Sequence, residues 1–147
     1  MIGLLQRVSR ARVTVDGEET GAIERGLMVL VAVQRDDGPA EAERLAERLL
    51  SYRVFEDDSG KMNLNVTQID GGLLLVPQFT LAATTSKGNR PSFSRAASPE
   101  QGQALFDACV QAARAHWTRV ETGRFGANMD VELLNQGPVT FWLEVKP

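Results

Sequence analysis

The stretch that most constrains the fold of this chain is a run of branched apolar residues after two glycines, Gly71–Val76. A continuous apolar run this short is typical of a strand buried on both faces and is too short for a buried helix. Pro77 ends the run, because proline has no backbone N–H with which to extend a strand ladder. Gln78, Phe79 and Thr80 follow directly. A rigid strand that ends beside an amide, a ring and a hydroxyl is a good place to hold a ligand, although the stretch by itself also fits an edge strand with a bulge.

The rest of the chain predicts a single α+β domain spanning residues 1–147. Apolar runs and turn signals predict strands over 4–15, 18–24, 27–33, 53–55, 119–121, 129–134 and 139–145. Helical periodicity predicts two main helices, one from Pro39 to about Tyr52 and one from Ser98 to about His116, the second with Gln101 completing a capping box. This order of elements indicates a largely antiparallel sheet with a barrel-like core.

Composition narrows the class of protein further. The chain has 147 residues, a mass of 16.1 kDa and no apolar run near the ~20 residues that span a bilayer. Its N-terminus lacks the pattern of a signal peptide, and one cysteine favours a reducing, cytoplasmic setting. A net charge of −3 argues against a protein that coats nucleic acid, while leaving room for a local basic patch.

The scarcity of cysteine and histidine limits the kinds of catalytic and metal sites that the chain can form. A zinc site of Cys and His needs more of them than the single Cys109 and single His116 provide. Cys109 falls on an apolar helical stripe, which predicts an inert core position, and His116 is expected at the surface where its helix ends. The acidic turn 56–60 lacks the ligand spacing of an EF-hand, so we interpret it as solvated. No metal or cofactor is therefore expected.

Two groups of cations leave alternatives open. The long loop 83–95 carries Lys87, Arg90 and Arg95 around Phe93. Charge beside a stackable ring suits the end of a single-stranded nucleic acid, and a merely solvated loop is the other interpretation. Near the N-terminus, Arg7, Arg10 and Arg12 form either a solvated strand face or a phosphate-contacting patch.

Two motifs, Val76-Pro77-Gln78-Phe79-Thr80-Leu81 and Asn135-Gln136-Gly137-Pro138-Val139-Thr140, resemble the signatures of the D-aminoacyl-tRNA deacylases. The resemblance runs the length of the chain and includes Arg90-Pro91-Ser92-Phe93-Ser94 and Glu121-Thr122-Gly123-Arg124-Phe125-Gly126. The family usually has serine at the position of Pro77, and a related, more permissive group of deacylases carries proline there. Phe79 and the Val139-Thr140 ending match the main family.

The resemblance implies hydrolysis of the ester that joins a D-amino acid, or glycine, to the 3′ end of tRNA. It implies a homodimer with sites at the subunit interface, no cofactor and no membrane. Gly137 and Pro138, joined by a cis bond, would reach into the partner's pocket and exclude an L side chain, with Arg7 supporting their geometry and Pro77 nearby. Contacts with the tRNA 3′ end are expected from Lys87, Arg90, Phe93, Phe125 and Met129.

For the reaction itself the sequence leaves two schemes. Thr80 is a possible nucleophile, but no general base lies near it in sequence. We favour a scheme in which backbone N–H groups of Gln78 and Phe79 stabilise the oxyanion, Thr80 positions the substrate and the ribose 2′-hydroxyl helps to activate water. A non-catalytic nucleic-acid-binding module, or a deacylase with relaxed chiral specificity, are the alternative functions.

Overall fold

The computed structural model describes all 147 residues, which form eight strands, two α-helices and one short 3₁₀ helix. The strands are β1 (Ile2–Val15), β2 (Glu18–Ile23), β3 (Gly26–Ala32), β4 (Phe55–Glu56), β5 (Met62–Leu64), β6 (Gly72–Pro77), β7 (Val120–Thr122) and β8 (Asp130–Glu144). The helices are α1 (Pro39–Ser51), the 3₁₀ helix Phe79–Ala82 and α2 (Pro99–His116). The predicted α+β class with two main helices is confirmed.

Strand β1 organises the antiparallel part of the main sheet, because three strands pair with it in antiparallel fashion. Strand β8 follows nearly its whole length, β3 pairs with its first half and β2 with its second. At the other side of the sheet β2 meets β7, where Thr20 Oγ1 donates to the carbonyl of Thr122 at 3.4 Å. A Cβ on Gly21 would lie 2.5 Å from that carbonyl, so glycine permits the approach. The sheet thereby curls into a nearly closed barrel, as predicted.

Strand β6 lies inside the sheet, and both of its neighbours, β3 and β7, run parallel to it. All six of its residues are buried, which confirms a strand covered on both faces and rules out the alternative of an edge strand. Alternate residues face two cores. Leu73 and Leu75 pack towards α1 and α2, while Leu74 and Val76 fill the barrel interior. This parallel pairing was not predicted, because a parallel strand depends on distant crossovers rather than on nearby turns.

The two helices cover one face of the sheet. Ser98 caps α2 by accepting a hydrogen bond from the Gln101 N–H at 3.2 Å, as the sequence predicts. The capping-box role of the Gln101 side chain is wrong, because its Nε2 donates to the carbonyls of Arg35 and Asp37 instead. Gln101 thus ties the start of α2 to the turn before α1. Neither helix is long and apolar enough to cross a membrane.

The C-terminal strands predicted over 129–134 and 139–145 are one strand, β8, of 15 residues. Glycine and proline at 137 and 138 predicted a break, yet the strand continues through them with an irregular register. The irregularity is a bulge: four residues of β8, 136–139, lie opposite the single residue Arg7 of β1. Partner strand β1 is continuous on both sides of the bulge, which keeps the two halves of β8 in line.

Candidate functional site

The first signature motif begins where β6 ends. Pro77 is the last residue of the strand and lies opposite Val31 of β3. The N–H of Gln78 still donates to the Val31 carbonyl at 2.8 Å, so the ladder extends one residue beyond the proline. That hydrogen bond removes Gln78 N–H from the expected oxyanion contacts, and of the two groups named from the sequence only Phe79 N–H is left for that role. The sequence-based expectation is therefore wrong for Gln78.

Beyond Pro77 the chain turns into the 3₁₀ helix and leaves two of the candidate side chains at the surface. Thr80 is exposed and Phe79 is 60% exposed, which is unusual for a large apolar ring. Gln78 Nε2 donates a hydrogen bond to Thr80 Oγ1. Because a hydroxyl that accepts one hydrogen bond keeps its own hydrogen, Thr80 can still donate to a bound group. The structure thus brings all three predicted residues together.

An aromatic and cationic loop lies next to these residues. The Phe93 ring meets the Phe79 ring with centroids 5.3 Å apart, and a bridge between Thr84 and Ser92 closes the loop at its base. Lys87 and Arg90 are exposed on it, and neither they nor Arg95 takes part in an ion pair. Residues 71–99 contain these three cations and none of the 19 acidic residues of the chain. A positive, ring-bearing surface therefore adjoins Gln78 and Thr80 in a protein that is negative as a whole.

The second signature motif forms the bulge of β8 and is held by a buried arginine. Arg7 is only 8% exposed; its Nε donates to the carbonyl of Gln136 at 3.1 Å and its Nη1 to the carbonyl of Val54 at 2.7 Å. Gly137 has a φ of +120°, and a Cβ added there would collide with the Arg7 guanidinium. Arg7 therefore contacts the bulge from its buried side. Val54 carries no sequence signal, because only the fold brings its carbonyl to Arg7.

The predicted cis bond between Gly137 and Pro138 is wrong, because the structure contains no cis peptide bond. The local distortion of the strand at this point includes the positive φ of Gly137, which glycine adopts without the steric cost paid by other residues. Both residues are exposed and project from the strand. They remain candidates for substrate contact, but no cis bond aligns their carbonyls.

Within one chain the two motifs do not meet. Arg7 lies opposite Leu27 of β3, whereas Pro77 lies opposite Val31 of the same strand. Four residues of a β-strand span about 13 Å at ~3.3 Å per residue. The exposed Gly137–Pro138 segment therefore lies well away from Thr80 of its own chain.

Phe125 and Met129, two further candidates from the sequence, are occupied with packing. Phe125 packs on α2, where its ring centroid is 6.5 Å from that of Phe106. Met129 packs against the barrel core, and its Sδ accepts a weak hydrogen bond from the N–H of Arg124 at 3.4 Å. A Cβ on Gly123 would lie 2.8 Å from this sulfur, so Met129 fills the space beside Gly123.

The N-terminal arginines do not form a phosphate patch. Arg7 is buried under the bulge, and Arg12 pairs with the carboxylate of Glu132 on the neighbouring strand. This pairing lowers the pKa of Glu132 and raises that of Arg12. Arg10 is left as the one exposed cation of the three outside an ion pair, so the alternative of a solvated strand face is the better description.

The remaining titratable candidates are structural. Cys109 is buried among the core side chains of α2, and burial raises the pKa of its thiol to about 12, as expected of an inert position. His116 is exposed at the end of α2. In the acidic turn, hydrogen bonds from Asn63 and Ser59 and from the backbone of Lys61 lower the pKa of Asp57, which acts as the hub of the β4–β5 hairpin.

Comparisons with known proteins agree along the whole chain. The family model of D-Tyr-tRNA(Tyr) deacylases matches residues 4–144. The D-aminoacyl-tRNA deacylase of Dichelobacter nodosus is 61% identical over 145 residues, with 99% of this chain and 100% of the relative covered. That of Escherichia coli is 57% identical with the same coverage. A solved structure described as c-Myc DNA unwinding element binding protein superposes with a TM-score of 0.95 at 39% identity and covers all of both chains.

The family model and these relatives cover nearly the whole chain, including both signature motifs. Residues Gln78–Thr80 and the Gly137–Pro138 bulge therefore lie within the matched range. The chain belongs to the D-aminoacyl-tRNA deacylase family, a family of hydrolases that act on ester bonds.

Proposed function

We propose that this protein hydrolyses the ester bond of D-aminoacyl-tRNA and of mischarged glycyl-tRNA, and that it spares L-aminoacyl-tRNA. The observation that carries the proposal is the exposed Gln78–Thr80 pair beside an acid-free, ring-bearing loop. An RNA end brings phosphates and a base, and this surface offers them unpaired cations and the rings of Phe79 and Phe93. A single buried cysteine fits a protein of the reducing cytoplasm, where we propose that it acts.

The proposed chemistry depends on groups that do not titrate near neutral pH. Water attacks the ester carbonyl, the bond to the ribose oxygen breaks, and that oxygen takes up the proton. The one histidine of the chain lies at the end of α2, and residues 71–99 contain no carboxylate, so no side-chain base belongs to this segment. The ribose 2′-hydroxyl supplies that assistance instead. Phe79 N–H and the Thr80 hydroxyl face the developing negative charge as donors.

The site is completed by a second copy of the chain. Gly137 and Pro138 project from β8, which pairs with β1 on one side only, and about 13 Å of sheet separates them from the Pro77 end of their own β6. The same strand exposes Leu134, Phe141 and Trp142. Several exposed apolar side chains on one strand are typical of a surface that binds another protein chain. In the proposed homodimer this strand carries the Gly137–Pro138 bulge into the partner's site, where its backbone leaves no room for an L side chain.

The acceptor end of the tRNA lies over the loop. Lys87 and Arg90 contact its phosphates. Phe93, whose ring packs against that of Phe79, stacks on the terminal base. Phe125 and Met129 line the inner side of the same region near Pro77, where Gly123 lies within packing distance of the proline ring. Their packing contacts fix these two side chains, which gives the amino-acid pocket a rigid wall.

Incubation of the purified protein with D-Tyr-tRNA, L-Tyr-tRNA and Gly-tRNA tests the proposal. We expect ester loss from the D and glycyl substrates and none above background from the L substrate, because glycine has no side chain to exclude. Release of the amino acid is measured over time at fixed protein concentration. The matched control is His116→Ala, which alters an exposed residue far from the site and should not change any of the three rates.

The other outcomes select the other functions. Hydrolysis of L-Tyr-tRNA at a rate close to that of D-Tyr-tRNA would identify a deacylase with relaxed specificity, as the proline at position 77 suggests. Binding of all three substrates without ester loss would identify a nucleic-acid-binding module. The similar structure described as a DNA unwinding element binding protein favours nucleic-acid binding. The net charge of −3 counts against it.

A further inference from the structure

The bulge of β8 interrupts the ladder with β1 and needs hydrogen bonds that the ladder no longer provides. Gln6 lies opposite Thr140 and Val8 lies opposite Asn135, so the whole segment 136–139 stands against Arg7 alone. Carbonyl groups at such an interruption lose their regular partners from the facing strand, and a carbonyl without a partner is costly when it is partly buried.

Asn135 supplies these hydrogen bonds from its side chain. Its Nδ2 donates to the carbonyl of Arg7 at 3.0 Å and to the carbonyl of Val139 at 3.2 Å. The first bond joins the bulge to β1, and the second joins the two ends of the bulge to each other across residues 136–138. One amide group with two N–H donors therefore closes the base of the projecting Gly137–Pro138 segment.

We propose that Asn135 is a positioning residue that sets how far and in which direction Gly137 and Pro138 project towards the substrate, and thereby determines chiral discrimination. The inference rests on the proposed function, in which these two residues exclude an L side chain. Arg7 holds the buried side of the bulge through the Gln136 carbonyl, while the Asn135 side chain holds its base. When both contacts are made, Gly137 and Pro138 occupy a fixed position and exclude an L side chain. Loss of either contact would let the segment move and admit the L substrate.

The residue type is specific to the task. Aspartate has the same shape but only acceptor oxygens when ionised, so it would face two carbonyls with no hydrogen to donate. Alanine removes both donors and leaves space. Glutamine keeps the amide, but its longer side chain moves the donors away from the base of the bulge.

The test compares Asn135→Asp and Asn135→Ala with a matched control, Gln6→Ala. The control removes a hydrogen bond between the same two strands, from Gln6 Nε2 to Thr140 Oγ1 at 3.2 Å, and leaves the bulge closed. For both Asn135 variants we expect the ratio of D-Tyr-tRNA to L-Tyr-tRNA hydrolysis to fall by about 10-fold or more, because two hydrogen bonds to partly buried carbonyls are removed. The control should keep the ratio of the original protein.

A second measurement does not need substrate. Exchange of the amide hydrogens of residues 136, 137, 139 and 140 in the free protein should accelerate in Asn135→Ala, while exchange in α2 stays unchanged. Faster exchange together with an unaltered D to L ratio would reduce Asn135 to a structural role and overturn the proposal. Unchanged exchange in Asn135→Ala would show that the Asn135 side chain does not close the bulge, which would also contradict the proposal. A starting protein without activity towards D-Tyr-tRNA would instead refute the proposed function, and the exchange measurement would then decide the closure by itself.

Discussion

The hydrogen bond from Gln78 Nε2 determines what the Thr80 hydroxyl can do. An oxygen that already accepts a hydrogen bond has less electron density to offer as a nucleophile, but its hydrogen is free to donate. Since no base adjoins it, Thr80 is better suited to orient or polarise the substrate than to attack it.

This assignment predicts the behaviour of Thr80→Ala. Removal of one positioning hydrogen bond should lower the single-turnover rate by only about 10-fold, whereas a substrate with a 2′-deoxy terminal adenosine should not react. Thr80→Ser keeps the hydroxyl and serves as the matched control. Capture of an amino acid esterified to Thr80 in rapidly quenched reactions would show that the residue is a nucleophile and would contradict the scheme.

The loop between the 3₁₀ helix and α2 concentrates positive charge in a region without carboxylates. Each cation that contacts a phosphate releases condensed counterions, so binding should weaken steeply as salt rises. The ring pair of Phe79 and Phe93 adds a contribution that does not depend on salt.

Lys87→Ala and Arg90→Ala test this loop. Each should raise the KM for D-Tyr-tRNA and reduce the slope of log KM against log salt by about 0.7–0.9 for every phosphate that the variant no longer neutralises. Arg44→Ala, an exposed cation on α1, is the control and should leave the slope unchanged. Equal effects from all three variants would show that the loop cations affect tRNA binding only through the net charge of the protein.

Elements with local signals were predictable from the sequence, and elements that depend on distant partners were not. The two helices and β6 follow from periodicity and from a short apolar run. The continuity of β8 through Gly137 and Pro138 depends on β1, which bridges the bulge from the other end of the chain. The same holds for the two residues whose roles changed, because Val31 takes the Gln78 N–H and the turn before α1 takes the Gln101 amide.

A single subunit leaves its second motif exposed and distant from its first. In the homodimer that we propose, each site contains a bulge from the other copy, so activity is expected to depend on association. Sedimentation at micromolar concentration should give twice the mass of 16.1 kDa, and Trp142→Glu, which places a charge on the exposed apolar part of β8, should yield inactive monomers.

Met62→Glu makes the matched comparison for this interface, since Met62 is also exposed and apolar but lies on the β4–β5 hairpin. This variant should keep the mass and activity of the starting protein. A fully active monomer of either variant would contradict the composite site.

The burial of Cys109 gives the protein an internal reporter. A thiol with a pKa of about 12 and no exposed surface does not react with maleimides or disulfide reagents while the fold is closed. Because it is the only cysteine, labelling follows the opening of the interface between α2 and the sheet, without background from other sites. Oxidants that inactivate enzymes by modifying an exposed thiol cannot reach Cys109 in the folded protein. The activity should therefore persist in the presence of such oxidants as long as the core remains folded.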